Sequence, residues 1–200
     1  MKILSNHRYA LVTGIVLAVI LAFVIGGAGF NRLGFVRWLH IVAGVFWIGL
    51  LYYFNAVQTP AMAVAAADKG GPGGAGISKY VAPRALFWFR WSALVTWVAG
   101  AWYLGDSGNF VGAFTLGLMS DPVNHYQLVI GTGAWLGTIM LFNVWVLIWP
   151  NQKKVLGIVS ATDEQKAAAR ATAGNASRIN FILSIPMLMC MGSAFHGLPF

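Results

Sequence analysis

Three histidines set the chemical question. His40 stands inside the apolar stretch "FVRWLHIVAGVFWIGLLYYFN" (residues 35–55), His125 in "SDPVNHYQ" and His196 in "SAFHGLPF". An unpaired imidazole in hydrocarbon is costly, and ionisable groups inside apolar helices face a partner or a cofactor. Neutral imidazole is a good iron ligand, and two of them on different helices can clamp a flat macrocycle from opposite faces. The cofactor this chemistry points to is b-type haem. His40 and His196 are the axial pair of choice, with His125 as the substitute or as ligand to a second haem. Beside His40, Gly44, Trp47 and Gly49 offer gap and wall for a flat ring. A plainer reading stands next to this one: a lone histidine in an apolar helix is often a hydrogen-bonding residue between helices. His125 and His196 also fit residues at a membrane interface. Zinc does not suit the pattern, because there is no HExxH and no carboxylate inside an apolar segment.

Arg90, in "ALFWFRWSALV", is the other costly residue. It could pair with a haem propionate or a quinone, but it falls on the half of its segment away from the histidines. Snorkelling or hydrogen bonding between helices, helped by cation–π contact with Trp88 or Trp91, is the preferred reading. Met187, Met189 and Met191 alternate, and residues two apart on a helix point in nearly opposite directions, so the three do not converge on copper. Cys190 is the single cysteine, and no CxxCH is present for covalent haem attachment.

The elements that must position these groups are apolar helices. Of the 200 residues, 58% are hydrophobic and 9% charged, against about 25% charged in an average soluble domain. Too few polar side chains are present to cover a water-soluble globule, so the expected class is an all-α integral membrane bundle in a single domain, residues 1–200. Five segments, about 9–29, 35–58, 81–104, 125–149 and 178–197, match the roughly 20 residues a bilayer requires. Trp38, Trp88, Trp102 and Trp149 sit near segment ends, as an aromatic belt does. The connection 105–124 is moderately apolar and suits an interfacial or re-entrant helix. The polar connection 151–177 contains "SATDEQKAAARATA", which predicts a short surface helix capped by Thr162 or Ser160. No repeat with a period in the 20–50 residue range of solenoid arrays is present.

With five spans, Lys2, Arg8, Lys69, Lys79, Arg84, Lys153, Lys154, Lys166, Arg170 and Arg178 fall on the side of the N-terminus, and Arg32 and Arg37 on the other. That bias places the N-terminus inside and the C-terminus outside a bacterial inner membrane, as a multi-pass protein. It also brings His40, His125 and His196 to similar depth near the outer face, and leaves His7 alone on the inner side. The net charge of +8 is explained by orientation against lipid, so nucleic acid is not an expected partner.

"WLHIVAGVFWIGLLYYFNAVQTPAM", "ALFWFRWSALVTWVAG", "IGTGAWLGTIMLFNVWVLIWPNQKK" and "ASRINFILSIPMLMCMGSAFHG" together resemble the membrane domain of the bacterial urate hydroxylase (urate oxidase N-terminal) family, over roughly residues 35–197. The family's longer members carry a C-terminal cytochrome c, whose CxxCH this sequence lacks. "LHIVAGVFWIGLLYY" is more loosely similar to the haem-ligand segment of membrane protoporphyrinogen oxidase, which maps the ligand onto His40. The resemblance implies a haem-type membrane module.

The expectation is a membrane-embedded b-type haem protein that passes electrons to or from a periplasmic cytochrome c or a larger membrane oxidoreductase. The alternatives are a non-catalytic accessory subunit of a respiratory or oxidase complex, and a urate-type small-molecule oxidase. A homo-oligomer is left open.

Overall fold

The computed structural model describes residues 2–27 and 29–199, the side chain of Lys2 excepted. Residue 28, inside the first expected span, lies outside the described residues. Among the described residues the chain is all-α, with no strand. It divides into two compact units, Met1–Arg32 and Leu33–Phe200.

The first unit holds α1 (Lys2–Ser5) and α2 (His7–Gly26). Asn6 caps α2 by accepting the backbone N–H of Arg8 at 2.9 Å, and Gly27 at φ 80° ends it in a conformation that favours glycine. α2 is apolar on every side, with mean hydropathy 2.6.

The second unit begins with α3 (Arg32–Tyr52), π1 (Tyr53–Gln58) and α4 (Thr59–Ala67), followed by π2 (Ile77–Val81) and α5 (Ala82–Asp106). It continues with α6 (Phe110–Phe114), α7 (His125–Phe142), π3 (Asn143–Ile148), α8 (Trp149–Val155) and α9 (Asp163–Ser193). Each π segment ends two residues before a proline: Pro60, Pro83 and Pro150. A proline ring inside a helix clashes with the carbonyl four residues back, here those of Ala56, Lys79 and Val146, all within the π turns. The wider π turn moves that carbonyl aside, so the helix passes the proline without breaking. As a result the expected spans 35–58 and 125–149 lie within longer helical stretches, Arg32–Ala67 and His125–Val155. These two and His7–Gly26 are long and apolar enough to cross a membrane.

The surface helix and the fifth span expected as separate elements are one helix. α9 runs unbroken for 31 residues from Asp163 to Ser193. Its start is a capping box in which the Thr162 hydroxyl accepts the Gln165 N–H while the Gln165 side chain accepts the Thr162 N–H. The Thr162 hydroxyl also holds the Glu164 carboxyl below its ordinary pKa. The alanine-rich stretch after the cap has high helix propensity, and Gly174 alone does not stop it. Ala169, Ala173 and Ala176 are buried at helical spacing and let α8 and α9 approach closely. The connection 105–124 forms the short α6, packed on α7. A Cβ at Gly131 of α7 would collide with the Ala113 carbonyl of α6.

α9 also carries the buried polar contacts of the core. Asn143 of π3 donates to Asn180 Oδ1 at 2.8 Å, and Asn180 donates to the Met140 carbonyl at 3.0 Å. Asn55 of π1 donates to Ser177 Oγ at 2.9 Å, and the Ser184 hydroxyl meets the Tyr52 hydroxyl at 3.2 Å. Asn180 and Ser184 are fully buried, so leaving either unpaired would cost about 1–3 kcal/mol.

Trp47 and Trp135, Gly49 and Gly137, Phe54 and Phe142, Asn55 and Asn143, Ala85 and Ala173, and Arg90 and Arg178 are identical pairs at a constant separation of 88 residues. Ser92 and Thr96 match Asn180 and Ser184 in the same register, and all four are buried. The register lays α3 and π1 on α7 and π3, and α5 on the C-terminal half of α9.

Candidate functional site

A cavity of about 830 Å³ opens in the second unit between α3, α5, α7 and α9. His40, Gly44, Trp47, Gly49 and His196 line it. His125 and Arg90 do not. His125 is the first residue of α7 and is exposed. Arg90 is occupied elsewhere: its guanidinium lies 3.8 Å from the ring centre of Trp149 and 5.3 Å from that of Phe87, and Nη1 donates to the Leu86 carbonyl at 3.4 Å. The cation–π contact thus goes to these two rings. Trp88 stacks on Phe46 and Trp91 meets Trp145 edge-on.

His40 is held in one orientation. Its Nδ1 lies 2.8 Å from the Thr96 carbonyl oxygen. A carbonyl only accepts, so the proton of this contact is on Nδ1, and Nε2 keeps its lone pair. Metal-binding histidines are oriented in this manner, by a backbone carbonyl behind the ring. The contact depends on Gly100, one turn beyond Thr96 on α5. A Cβ there would stand 2.9 Å from both Cε1 and Nδ1 of His40, closer than a rigid ring tolerates. The 88-residue spacing of those identities allows a comparison within the sequence. Leu128 falls in register with His40, and Leu188 with Gly100. Neither His40 nor Gly100 recurs in that register.

His196 reaches the cavity from a turn. α9 ends at Ser193, the His196 N–H bonds the Ser193 carbonyl at 3.1 Å, and Gly197 follows at φ 85°. His196 is exposed where His40 is half-buried. Met187 and Met191, four residues apart, also face the cavity, while the intervening Met189 is exposed. The Trp47 indole N–H is buried in the wall with no hydrogen-bond partner. Arg37 supplies a cation, and Tyr103 and Tyr126 supply hydroxyls to the lining. Trp97 donates to the Thr138 hydroxyl at 2.9 Å, tying α5 to α7 across one side.

Gly100, Thr96 and Arg37 were not among the residues expected from sequence. The 88-residue register could have marked Gly100, as the small residue facing a histidine that has no counterpart.

Among the described residues, no group of three His, Cys, Asp or Glu side chains comes together to hold a bare metal ion. The donor set is instead two imidazoles around a large, mostly apolar space. This fits a macrocycle that brings its own iron and most of its own ligands.

Over residues 122–200 the chain matches the urate oxidase N-terminal family. This supports the family resemblance read from the sequence over its C-terminal part, residues 122–200. The urate oxidase N-terminal match covers α7, π3, α8 and α9, and so includes His125 and His196, while His40 and Gly100 lie upstream of it. No curated protein and no solved structure matches the chain.

Proposed function

We propose that the protein is a five-span bundle of the bacterial inner membrane that holds a b-type haem in this cavity and passes electrons through it. Its N-terminus is cytoplasmic and its C-terminus periplasmic. The observation that carries the reading is His40, fixed through Nδ1 by the Thr96 carbonyl in a notch made by Gly100. A volume of about 830 Å³ falls in the upper part of the range of cofactor sites, about 300–1,000 Å³. His40 would ligate the haem iron through Nε2, and His196, which lines the same cavity, would be the second ligand. The Trp47 N–H and Arg37 would be available as donors to the carboxylates of the ring. Bound haem would supply one-electron chemistry. The protein's part is to fix the imidazole, exclude lipid and place the site near the outer face. The partner is a periplasmic cytochrome or a larger membrane oxidoreductase.

Separate replacement of the other two histidines tests the ligand assignment. His196→Ala is expected to convert a low-spin spectrum to high spin while haem stays bound, since the His40 bond remains. His125→Ala is expected to leave the spectrum unchanged, because His125 does not reach the cavity. The opposite pair of results would move the second ligand to His125.

Orientation rests on the ten cations assigned to the inner side against two on the outer, counted over the five spans. A cysteine placed at Gln165 in a Cys190→Ser background is expected to resist membrane-impermeant thiol reagents in intact cells, and one added after Phe200 to be labelled. Labelling of Gln165 from outside would invert the topology.

The family match supports a second reading, a urate-type oxidase. Urate consumption that requires the haem-loaded protein would favour it over simple electron transfer.

A further inference from the structure

We infer that a second cavity, at the opposite end of the same bundle, binds the ring of a membrane quinone. The cavity has a volume of about 240 Å³ and lies among the ends of π1, α5, α8 and α9. Gln58 lines it, 18 residues beyond His40, and so roughly 27 Å further along the helix. By the charge bias this is the cytoplasmic end. The inference is independent of what the outer cavity holds.

The walls are of two kinds. Phe54, Leu86, Phe89 and Ile148 are buried and apolar, with Phe54 and Phe89 meeting edge to face at 5.5 Å. Gln58, Thr59, Gln152, Arg170 and Ser177 make up the polar part, and no carboxylate lines the cavity. Gln58 Oε1 is buried with no hydrogen-bond partner. Ser177 Oγ already accepts from Asn55 at 2.9 Å, which leaves its hydroxyl proton free to donate.

Amides and hydroxyls are the side chains that both donate and accept. A lining built from two glutamines and two hydroxyls suits a ligand whose oxygens change role. A quinone's carbonyls accept hydrogen bonds, and the hydroxyls of the quinol donate them from the same positions. Arg170 adds a donor for the electron-rich oxygens of the oxidised ring. The apolar walls, with Phe54 and Phe89 set edge to face, pack against the ring. The volume fits one substituted ring and excludes a macrocycle, so the isoprenoid tail lies outside in lipid.

The test uses the full chain in lipid nanodiscs and a photoreactive short-chain azidobenzoquinone, with cross-links mapped by mass spectrometry. Cross-links are expected in residues 54–62 and 170–177, and they should be suppressed by excess unlabelled decylbenzoquinone. Gln58→Leu and Gln152→Leu are each expected to weaken binding about tenfold, as the loss of one buried hydrogen bond does. If one variant fails to fold, the other still reads the site. Cross-links confined to the outer cavity, or binding that neither variant weakens, would overturn the inference.

Discussion

His40→Ala is expected to yield a folded, membrane-inserted protein that purifies without haem. His40 is the only residue of α3 able to ligate iron through nitrogen, and its ring is held in place before any cofactor arrives. Loss of groups that merely orient a ligand typically costs about 10–100-fold in affinity, so loss of the ligand itself should lower haem content by more than about 100-fold. The void left by the imidazole gives the experiment its own control. Free imidazole added to the variant is expected to enter that void and restore part of the haem signal. A destabilised protein would not be rescued in this way. Size-exclusion chromatography in detergent should show the same monodisperse species as the parent.

Gly100→Val should produce nearly the same loss without touching a ligand. The first atom of any side chain at this position meets the imidazole at 2.9 Å, on the edge that bonds Thr96. α5 backbone and His40 ring cannot both stay in place, and the ring is the part that turns. Nε2 then leaves the cavity, and haem content is expected to fall by about tenfold or more. Gly44→Ala is the matched control on α3. Its Cβ would rest 3.7 Å from Thr96 Cγ2, an ordinary contact, so binding should change little. Equal losses in both variants would mean that the cavity is merely sensitive to bulk and that the Thr96 contact has no special role.

The helical class and the apolar segments were legible in composition and run length, because a bilayer imposes both on any chain that crosses it. His40 and His196, which line one cavity, stood out for a related reason: imidazole is rare enough in such segments that depth alone groups them. Depth also grouped His125 with them, wrongly for this cavity, since residues at one depth can face different directions around a bundle. The π turns were not legible as such, although each precedes a proline, Pro60, Pro83 or Pro150, while Pro186 lies in α9 without one. The continuity of α9 was hidden by a polarity change at about residue 178, which is not a helix end. Arg90 was legible as a cation that meets aromatic rings, but its partner Trp149 lies 59 residues further on, beyond the reach of local sequence. Gly100 looked like one of 24 glycines until a ring was seen against it.

The most direct measurement of the central claim is a reduced-minus-oxidised visible spectrum of the full chain, purified from haem-replete cells in mild detergent. A Soret band with sharp α and β bands on reduction, at close to one haem per chain by haemochrome assay, is the predicted result. A colourless protein that stays colourless when titrated with hemin, while monodisperse and intact, would contradict it. The His40, Thr96 and Gly100 arrangement would then be a contact between helices and no more.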